Sequence, residues 1–135
     1  MSENKSIYII AVCGTGMSAL AGLLKKSGCC VVGSDANIYP PVSDLLIKYG
    51  IEVKEGYKKE NLPLDADLIV VGNAIPKTNP EAVAALKSGI RYVSFPEALG
   101  ELFLQNRKSL VVAGTHGKTT TSSLLAWMLE GTDKK

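Results

Sequence analysis

The sequence lacks long apolar segments, and this absence limits where we expect the chain to function. No apolar run among its 135 residues approaches the roughly 20 residues that are needed to cross a bilayer. The first six residues, MSENKS, are polar and show none of the features of a signal peptide. We therefore expect a cytoplasmic protein without a membrane partner.

The sequence also has little net charge, few cysteines and one histidine. A formal net charge of +2, with acidic and basic residues interspersed, does not favour nucleic acid as a partner. Cys13, Cys29 and Cys30 have no metal-ligand spacing and lie in or beside apolar strands, so we expect buried free thiols. His116 has no Asp, Cys or second His near it in sequence, which favours a turn residue over a catalyst.

What remains is a globular composition in which strand and helix patterns alternate. Hydrophobic residues make up 46% of the chain and charged residues 21%. Continuous apolar runs separated by helical segments predict an α/β fold, a Rossmann-like doubly wound parallel sheet. The predicted strands are 7–12, 30–33, 51–53, 68–71, 92–94 and 110–113. The predicted helices are 17–26, 42–49, 80–88 and 96–105.

The first candidate site is a glycine pattern, Gly14-x-Gly16-x-x-Ala19, between a predicted strand and a predicted helix. In such a loop the first glycine allows a tight turn, the second lets the backbone approach a pyrophosphate, and a small third residue lets the helix pack on the sheet. Asp35 follows Gly14 by 21 positions, at the spacing of the carboxylate that binds a ribose hydroxyl. The alternative is a plain glycine turn in which Asp35 only caps a strand end.

The second candidate site is the sequence GTHGKT, residues 114–119, which follows the last predicted strand and opens a helix. Its backbone N–H groups and Lys118 are suited to hold ATP phosphates, and the Thr119 hydroxyl to reach Mg²⁺. The usual pattern has a glycine five residues before Gly117, where this chain has Val112, so the loop is a shortened variant. The alternative is a helix-capping turn.

Two other protein classes would each explain one of these loops. A nicotinamide-dependent oxidoreductase or an NAD-sensing module would use the first loop and Asp35, but it leaves the second loop unexplained. A small P-loop kinase would explain the second loop, but such folds usually carry it after the first strand.

A dinucleotide-type loop followed by "GTHGKTTT" about a hundred residues later resembles the N-terminal region of the Mur ligases, the ATP-dependent amide-forming enzymes of peptidoglycan synthesis. The resemblance implies a first domain that binds UDP-N-acetylmuramate, a second that binds ATP with Mg²⁺, and a third that binds an amino acid or peptide. It further implies that ATP phosphorylates the lactyl carboxylate and that an amine attacks the acyl phosphate.

Within that family, four segments are similar to the branch that joins UDP-N-acetylmuramate to the peptide L-Ala-γ-D-Glu-meso-diaminopimelate in peptidoglycan recycling. These segments are 34–46, 55–57, 72–74 and 79–80. The branch that joins L-alanine to the same UDP-sugar is the alternative.

The resemblance also implies a role for individual residues. The expected UDP-sugar contacts are Gly14, Thr15, Gly16, Met17, Ser18, Ser34, Asp35, Asn37 and Asn73. The expected ATP contacts are Gly114, Thr115, His116, Gly117, Lys118, Thr119 and Thr120. Lys118 and Thr119 are the expected catalytic residues, and Thr119 is the expected magnesium ligand.

A polar, basic stretch at 105–109 suggests where one domain ends and another begins. We predict a complete UDP-sugar-binding domain, 1–106, and the first strand, loop and helix of an incomplete ATP-binding domain, 107–135. Without the rest of that domain and an acceptor domain, we expect this chain alone to have no ligase activity. The apolar final helix is expected to dock on the first domain, to associate with a second copy, or to be disordered.

Overall fold

The computed structural model of the chain describes residues 4–105 and 107–131. The chain divides into two compact units, Met1–Gln105 and Asn106–Lys135. The assignment of a UDP-sugar-binding role to the first unit and an ATP-binding role to the second remains a prediction.

The first unit contains a five-stranded sheet in which all neighbouring strands are parallel. Its strands are β1 (Ser6–Ile10), β2 (Cys30–Asp35), β3 (Glu52–Glu55), β4 (Leu68–Val71) and β5 (Tyr92–Ser94). They lie in the order β3-β2-β1-β4-β5. This confirms the predicted parallel sheet, in which β4 and β5 have the predicted ends and the ends of the other strands differ from the prediction by at most two residues.

Helices connect these strands, and their ends carry the expected sequence signals. The helices are α1 (Thr15–Lys26), α2 (Val42–Lys48), α3 (Pro80–Ser88), α4 (Phe95–Leu99) and, in the second unit, α5 (Lys118–Glu130). A 3₁₀ turn forms at Lys59–Asn61, and α4 continues as a π-helical turn, Gly100–Leu104. The helix predicted over 96–105 is therefore present as two pieces of different winding.

The sheet separates two apolar cores, because alternate residues of a strand point to opposite faces. Ile7 and Ile9 of β1 pack in a cluster with residues of α1, α2 and α4. Tyr8 and Ile10 belong to a second cluster, which includes Ala85 of α3. Helices thus cover both faces of the sheet, as the prediction of a doubly wound fold requires.

The strand order creates a crevice at the carboxyl ends of β1 and β4. From β1 the chain moves to β2 and β3 on one side, then crosses to β4 and β5 on the other. The connections that leave β1 and β4 therefore diverge, and ligands of open α/β sheets bind at such a point.

Two predictions, one about the second unit and one about β2, are wrong. Residues 110–113 are not a strand, because the described part of the second unit contains no other strand with which they could pair. Cys30 is exposed because it begins β2, opposite Ser6, at the amino-terminal edge of the sheet. Cys29 is buried and Cys13 half-buried, and all three are free thiols.

The described part of the second unit consists of an extended segment, the GTHGKT loop and α5. The apolar side chains of α5 are largely exposed, with Trp127 at 71%. The segment forms a helix, and its docking or self-association remains a prediction. None of the described helices is long and apolar enough to span a membrane.

Candidate functional site

The glycine loop between β1 and α1 lies directly on β2. The backbone N–H groups of Ala11 and Val12 both donate to the Ser34 carbonyl, at 2.9 and 3.0 Å. A side chain at Gly33 would place its Cβ only 2.7 Å from the Cβ of Val12, so glycine is required there for the loop to come this close. The close backbone approach thus depends on a residue of β2 as well as on the loop.

In the turn that leaves β1, the left-handed conformation is adopted by Ala11 and not by Gly14. Ala11 has a φ of 67°, in the left-handed region that favours glycine. Gly14 has an ordinary φ of −61°, and no heavy atom would lie within 3.4 Å of a Cβ added there. Gly14 closes the turn through its N–H, which donates to the Ala11 carbonyl at 3.3 Å, so the prediction that a glycine conformation at position 14 allows the turn is wrong.

The first turn of α1 presents backbone N–H donors at the crevice. The N–H groups of Thr15, Gly16 and Met17 have no acceptor among the described residues, whereas the Ser18 N–H donates to the Gly14 carbonyl. The first turn carries no acidic side chain. Free N–H groups and the positive end of the helix dipole together favour an anion such as a pyrophosphate.

The side chains of this turn are less available than its backbone. Met17 is buried, so it can contact a ligand only through its main chain. The Ser18 hydroxyl is also buried and donates to the Thr15 carbonyl at 3.1 Å. Ala19 is exposed, which contradicts the prediction that a small third residue packs against the sheet. Gly16 is also exposed, but an added Cβ there would lie 3.3 Å from the Phe95 ring, so Gly16 is the position of the glycine pattern with the least room for a side chain.

The Asp35 carboxylate forms a hydrogen bond to the glycine loop. One carboxylate oxygen accepts from the Cys13 N–H at 2.9 Å, and the other accepts from the Asn37 N–H at 2.9 Å and the Tyr57 hydroxyl at 3.5 Å. Burial, together with the Asp35 charge, raises the pKa of the Cys13 thiol to about 11. The same two causes raise the pKa of Tyr57. Asp35 therefore positions three segments, and its contact with a ribose remains a prediction.

Ser34 does not reach the crevice. It has no exposed surface, and its hydroxyl donates to the Glu81 carboxylate at the start of α3. The Ser34 side chain therefore points away from the crevice, because residues 34 and 35 point to opposite faces of β2, and a contact of Ser34 with the UDP-sugar remains a prediction.

Asn37 and Asn73 are both exposed, and each follows a strand at the carboxyl edge of the sheet. Asn73 lines a cavity of about 470 Å³ together with Lys77 and Glu97. Hydrogen bonds from the backbone and hydroxyl of Ser94 lower the pKa of Glu97 and favour its carboxylate form. The cavity continues the crevice toward β5.

Sequence reasoning missed two candidate residues at this edge. Tyr57 follows β3, and its hydroxyl meets the Asp35 carboxylate. Lys77 follows β4 and lines the same cavity as Asn73. Their position in the sequence could have identified them, since both residues come shortly after strands whose carboxyl ends share one edge of the sheet.

The second loop is closed on itself by its lysine. The Lys118 ammonium donates to the carbonyls of Gly114 and Thr115, at 2.8 and 3.4 Å. His116 Nδ1 lies 3.2 Å from the Thr115 hydroxyl, as a turn residue would. Gly117 adopts a left-handed φ of 75° and is followed directly by α5.

The second loop ends at the first turn of α5, whose N–H groups can bind an anion. Thr119 and Thr120 lie exposed in the first turn of α5, where unpaired N–H groups also favour an anion. The described residues contain no cluster of acidic, His or Cys side chains that could hold a metal. The magnesium contact of Thr119 remains a prediction.

Known proteins of one family match this chain over nearly its whole length. Residues 6–107 match the Mur ligase family, catalytic domain. The chain is 48% identical, over 92% of its length, to the UDP-N-acetylmuramate–L-alanyl-γ-D-glutamyl-meso-2,6-diaminoheptandioate ligase of Escherichia coli K12, and covers 27% of that protein. It is 44% identical to the UDP-N-acetylmuramate–L-alanine ligase of Psychrobacter sp. PRwf-1, covering 96% of this chain and 26% of that one.

A solved structure agrees with these sequence matches. The crystal structure of the murein peptide ligase from Psychrobacter arcticus 273-4 superposes with a TM-score of 0.88 at 47% identity. The match covers 93% of this chain and 26% of that structure. The chain therefore spans about a quarter of the length of these relatives.

Proposed function

We propose, because this chain belongs to the Mur ligase family, that its first unit binds UDP-N-acetylmuramate and that its second unit carries an ATP phosphate loop. The observation that carries the proposal is the group of unpaired N–H donors at the start of α1, at the topological switch point of the sheet. A pyrophosphate at this position would accept from Thr15, Gly16 and Met17.

The whole enzyme would join the lactyl carboxylate of the UDP-sugar to the amine of L-Ala-γ-D-Glu-meso-diaminopimelate in peptidoglycan recycling. ATP would supply the phosphoryl group that activates the carboxylate. Identity of 48% to a ligase of that peptide, against 44% to an L-alanine ligase, supports this acceptor. Joining L-alanine is the second candidate.

The candidate residues have different roles in this proposal. The N–H groups of Thr15–Met17, directly after Gly14, bind the pyrophosphate, and Asp35, with Asn37 and Tyr57 beside it, binds the uridine. Asn73 and Lys77 border the cavity next to it. In the second unit Lys118 would exchange its carbonyl partners for ATP phosphates, with Thr119 reaching the magnesium ion.

A charge placed in the first loop tests the pyrophosphate site. Thr15→Asp adds a carboxylate to the first turn of α1, which stabilises the helix but repels a pyrophosphate. We expect calorimetry to detect UDP-N-acetylmuramate binding to the parent chain, and an affinity at least about 30-fold weaker in Thr15→Asp. Thr15→Asn has the same size without the charge and should bind within about threefold of the parent. Equal affinities in both variants would contradict the assignment.

Parallel titrations separate the rival functions. We expect no heat with NAD, because the proposed ligand is a UDP-sugar, and binding of NAD in place of UDP-N-acetylmuramate would favour a dehydrogenase-type module. ATP with Mg²⁺ should bind to the parent and not to Lys118→Ala, which lacks the cation of the loop. That variant should retain its affinity for UDP-N-acetylmuramate.

An activity assay tests whether this chain alone can catalyse the ligation. We expect this chain, given ATP, UDP-N-acetylmuramate and the tripeptide, to release no ADP above background, because it spans about a quarter of its relatives. The complete Escherichia coli relative serves as the positive control. ADP release that depends on both substrates would show that this chain suffices for the reaction.

A further inference from the structure

A buried carboxylate, Glu81, lies behind the candidate site and plays no part in the assigned contacts. Glu81 has no exposed surface and lies in the first turn of α3. Its own N–H donates to the Asn79 side chain, which caps the helix. A negative charge at this position is favoured by the start of the helix.

Four donors from distant parts of the chain meet on this carboxylate. One oxygen accepts from the Asn61 amide at 2.7 Å, the Lys58 N–H at 3.1 Å and the Tyr8 hydroxyl at 3.4 Å. The other oxygen accepts from the Ser34 hydroxyl. A buried acceptor with this many partners fixes the segments that supply them, since each would be left unpaired without it.

Two of these segments carry the candidate UDP-sugar contacts. Ser34 directly precedes Asp35, whose carboxylate holds the glycine loop through Cys13. Lys58 directly follows Tyr57, whose hydroxyl meets Asp35. The segment is tied further by the Gly56 N–H, which donates to the Asp35 carbonyl at 2.8 Å.

We infer that Glu81 is a positioning residue of the UDP-sugar site. Its carboxylate fixes the end of β2 and the segment 56–58, and thereby the places of Asp35, Tyr57 and the glycine loop. The inference rests on the proposed function for the identity of the ligand. The geometry on which it depends belongs to the free chain.

Two substitutions separate positioning from loss of a charge. Glu81→Gln keeps one oxygen for the three donors on its first side, and its amide can donate to the Ser34 hydroxyl, which can also accept. Glu81→Met removes every acceptor at a similar side-chain volume. We expect UDP-N-acetylmuramate affinity within about threefold of the parent for Glu81→Gln and at least about tenfold weaker for Glu81→Met. In both variants the ATP affinity should be unchanged.

Two milder substitutions distinguish loss of positioning from loss of folding. Ser34→Ala removes the hydrogen bond between β2 and Glu81, and we expect about fivefold weaker UDP-N-acetylmuramate binding. Ile69→Val removes one methylene group from the core cluster that contains Tyr8 and should bind like the parent. Thermal melting and circular dichroism establish that each variant is folded. A folded Ser34→Ala with the affinity of the parent would overturn the inference.

Amide hydrogen exchange in the free chain tests the positioning role of Glu81 without a ligand. We expect the N–H groups of Cys13 and Asn37, which donate to Asp35, to exchange at least about fivefold faster in Ser34→Ala and at the parent rate in Ile69→Val. Unchanged exchange in Ser34→Ala would rule out positioning. If the parent chain binds no UDP-N-acetylmuramate, the proposed function fails, and exchange alone decides the role of Glu81.

Discussion

Among single residues, Ala11 carries a backbone cost that determines how the glycine loop begins. Its left-handed φ of 67° is disfavoured by roughly 1–2 kcal/mol for a residue with a Cβ. The N–H of Ala11 nevertheless donates to Ser34, so the hydrogen bonds of the loop hold it in this conformation. Glycine at the same position would adopt it without steric conflict.

We therefore predict that Ala11→Gly raises the free energy of unfolding by about 0.5–1 kcal/mol, since the relieved strain exceeds the extra chain entropy of glycine. Urea denaturation measures the change. Ala19→Gly, in the exposed middle of α1, is the matched control and should lower the free energy by about 1 kcal/mol. Destabilisation by both changes would mean that the Ala11 methyl group contributes more than its backbone costs.

The thiols provide a second prediction for single residues. With a pKa near 11, roughly a hundredfold less Cys13 is thiolate at pH 8 than at the ordinary pKa of 9.0. Burial also raises the pKa of Cys29. We expect a thiol reagent at pH 8 to modify exposed Cys30 first and Cys13 and Cys29 much more slowly.

The pH dependence has a definite sign. Because the pKa of Cys13 is raised, its modification rate should increase about tenfold for each pH unit between 8 and 10. Mass spectrometry of peptides from Cys30→Ser follows Cys13 without interference. Modification of Cys13 as fast as that of Cys30 at pH 8 would contradict its burial.

Neighbouring positions of β2 show what the sequence can predict about a site. The spacing from Gly14 located Asp35 correctly at a strand end beside the glycine loop. It could not reveal that Ser34 faces the other side, because its partner Glu81 lies 47 positions away in the chain. Local spacing thus predicts where a side chain is, whereas its partners depend on tertiary packing.

Whole elements could be predicted where local signals and packing agree. The run at β4 and the cap, proline and glycine that bound α3 gave those elements with correct limits. The run at 110–113 is just as apolar, yet it is not a strand in a unit whose described part offers no pairing partner. Strand formation requires a neighbour, and a sequence window does not contain one.

The start of α3 allows a test of how much one cap stabilises the domain. The Asn79 side chain accepts from the N–H groups of Glu81 and Ala82, at 2.9 and 3.2 Å. We predict that Asn79→Ala lowers the free energy of unfolding by about 1 kcal/mol, because both donors lose their partner. For Asn79→Ser, chemical denaturation should show a decrease in the free energy of unfolding of at most a few tenths of a kcal/mol. An equal loss in the two variants would mean that packing of Asn79, and not capping, is responsible.

At the scale of the whole molecule, the core and the candidate UDP-sugar site belong to one unit. Every buried apolar residue in the described chain lies between Ile7 and Ala98. The described residues of the second unit are exposed or half-exposed. Folding and UDP-sugar binding are therefore expected to depend on the first unit, and ATP binding on the second.

Truncation after Gln105 tests this separation. We predict that the chain 1–105 remains folded, with a free energy of unfolding within about 1 kcal/mol of the parent, because the truncation removes no core residue. It should bind UDP-N-acetylmuramate within about twofold of the parent and should not bind ATP. The matched control is Lys118→Ala, which retains residues 106–135 and should also lose ATP binding. If the truncated chain unfolds or binds the UDP-sugar much more weakly while Lys118→Ala does not, the second unit must contribute to the fold or the site of the first.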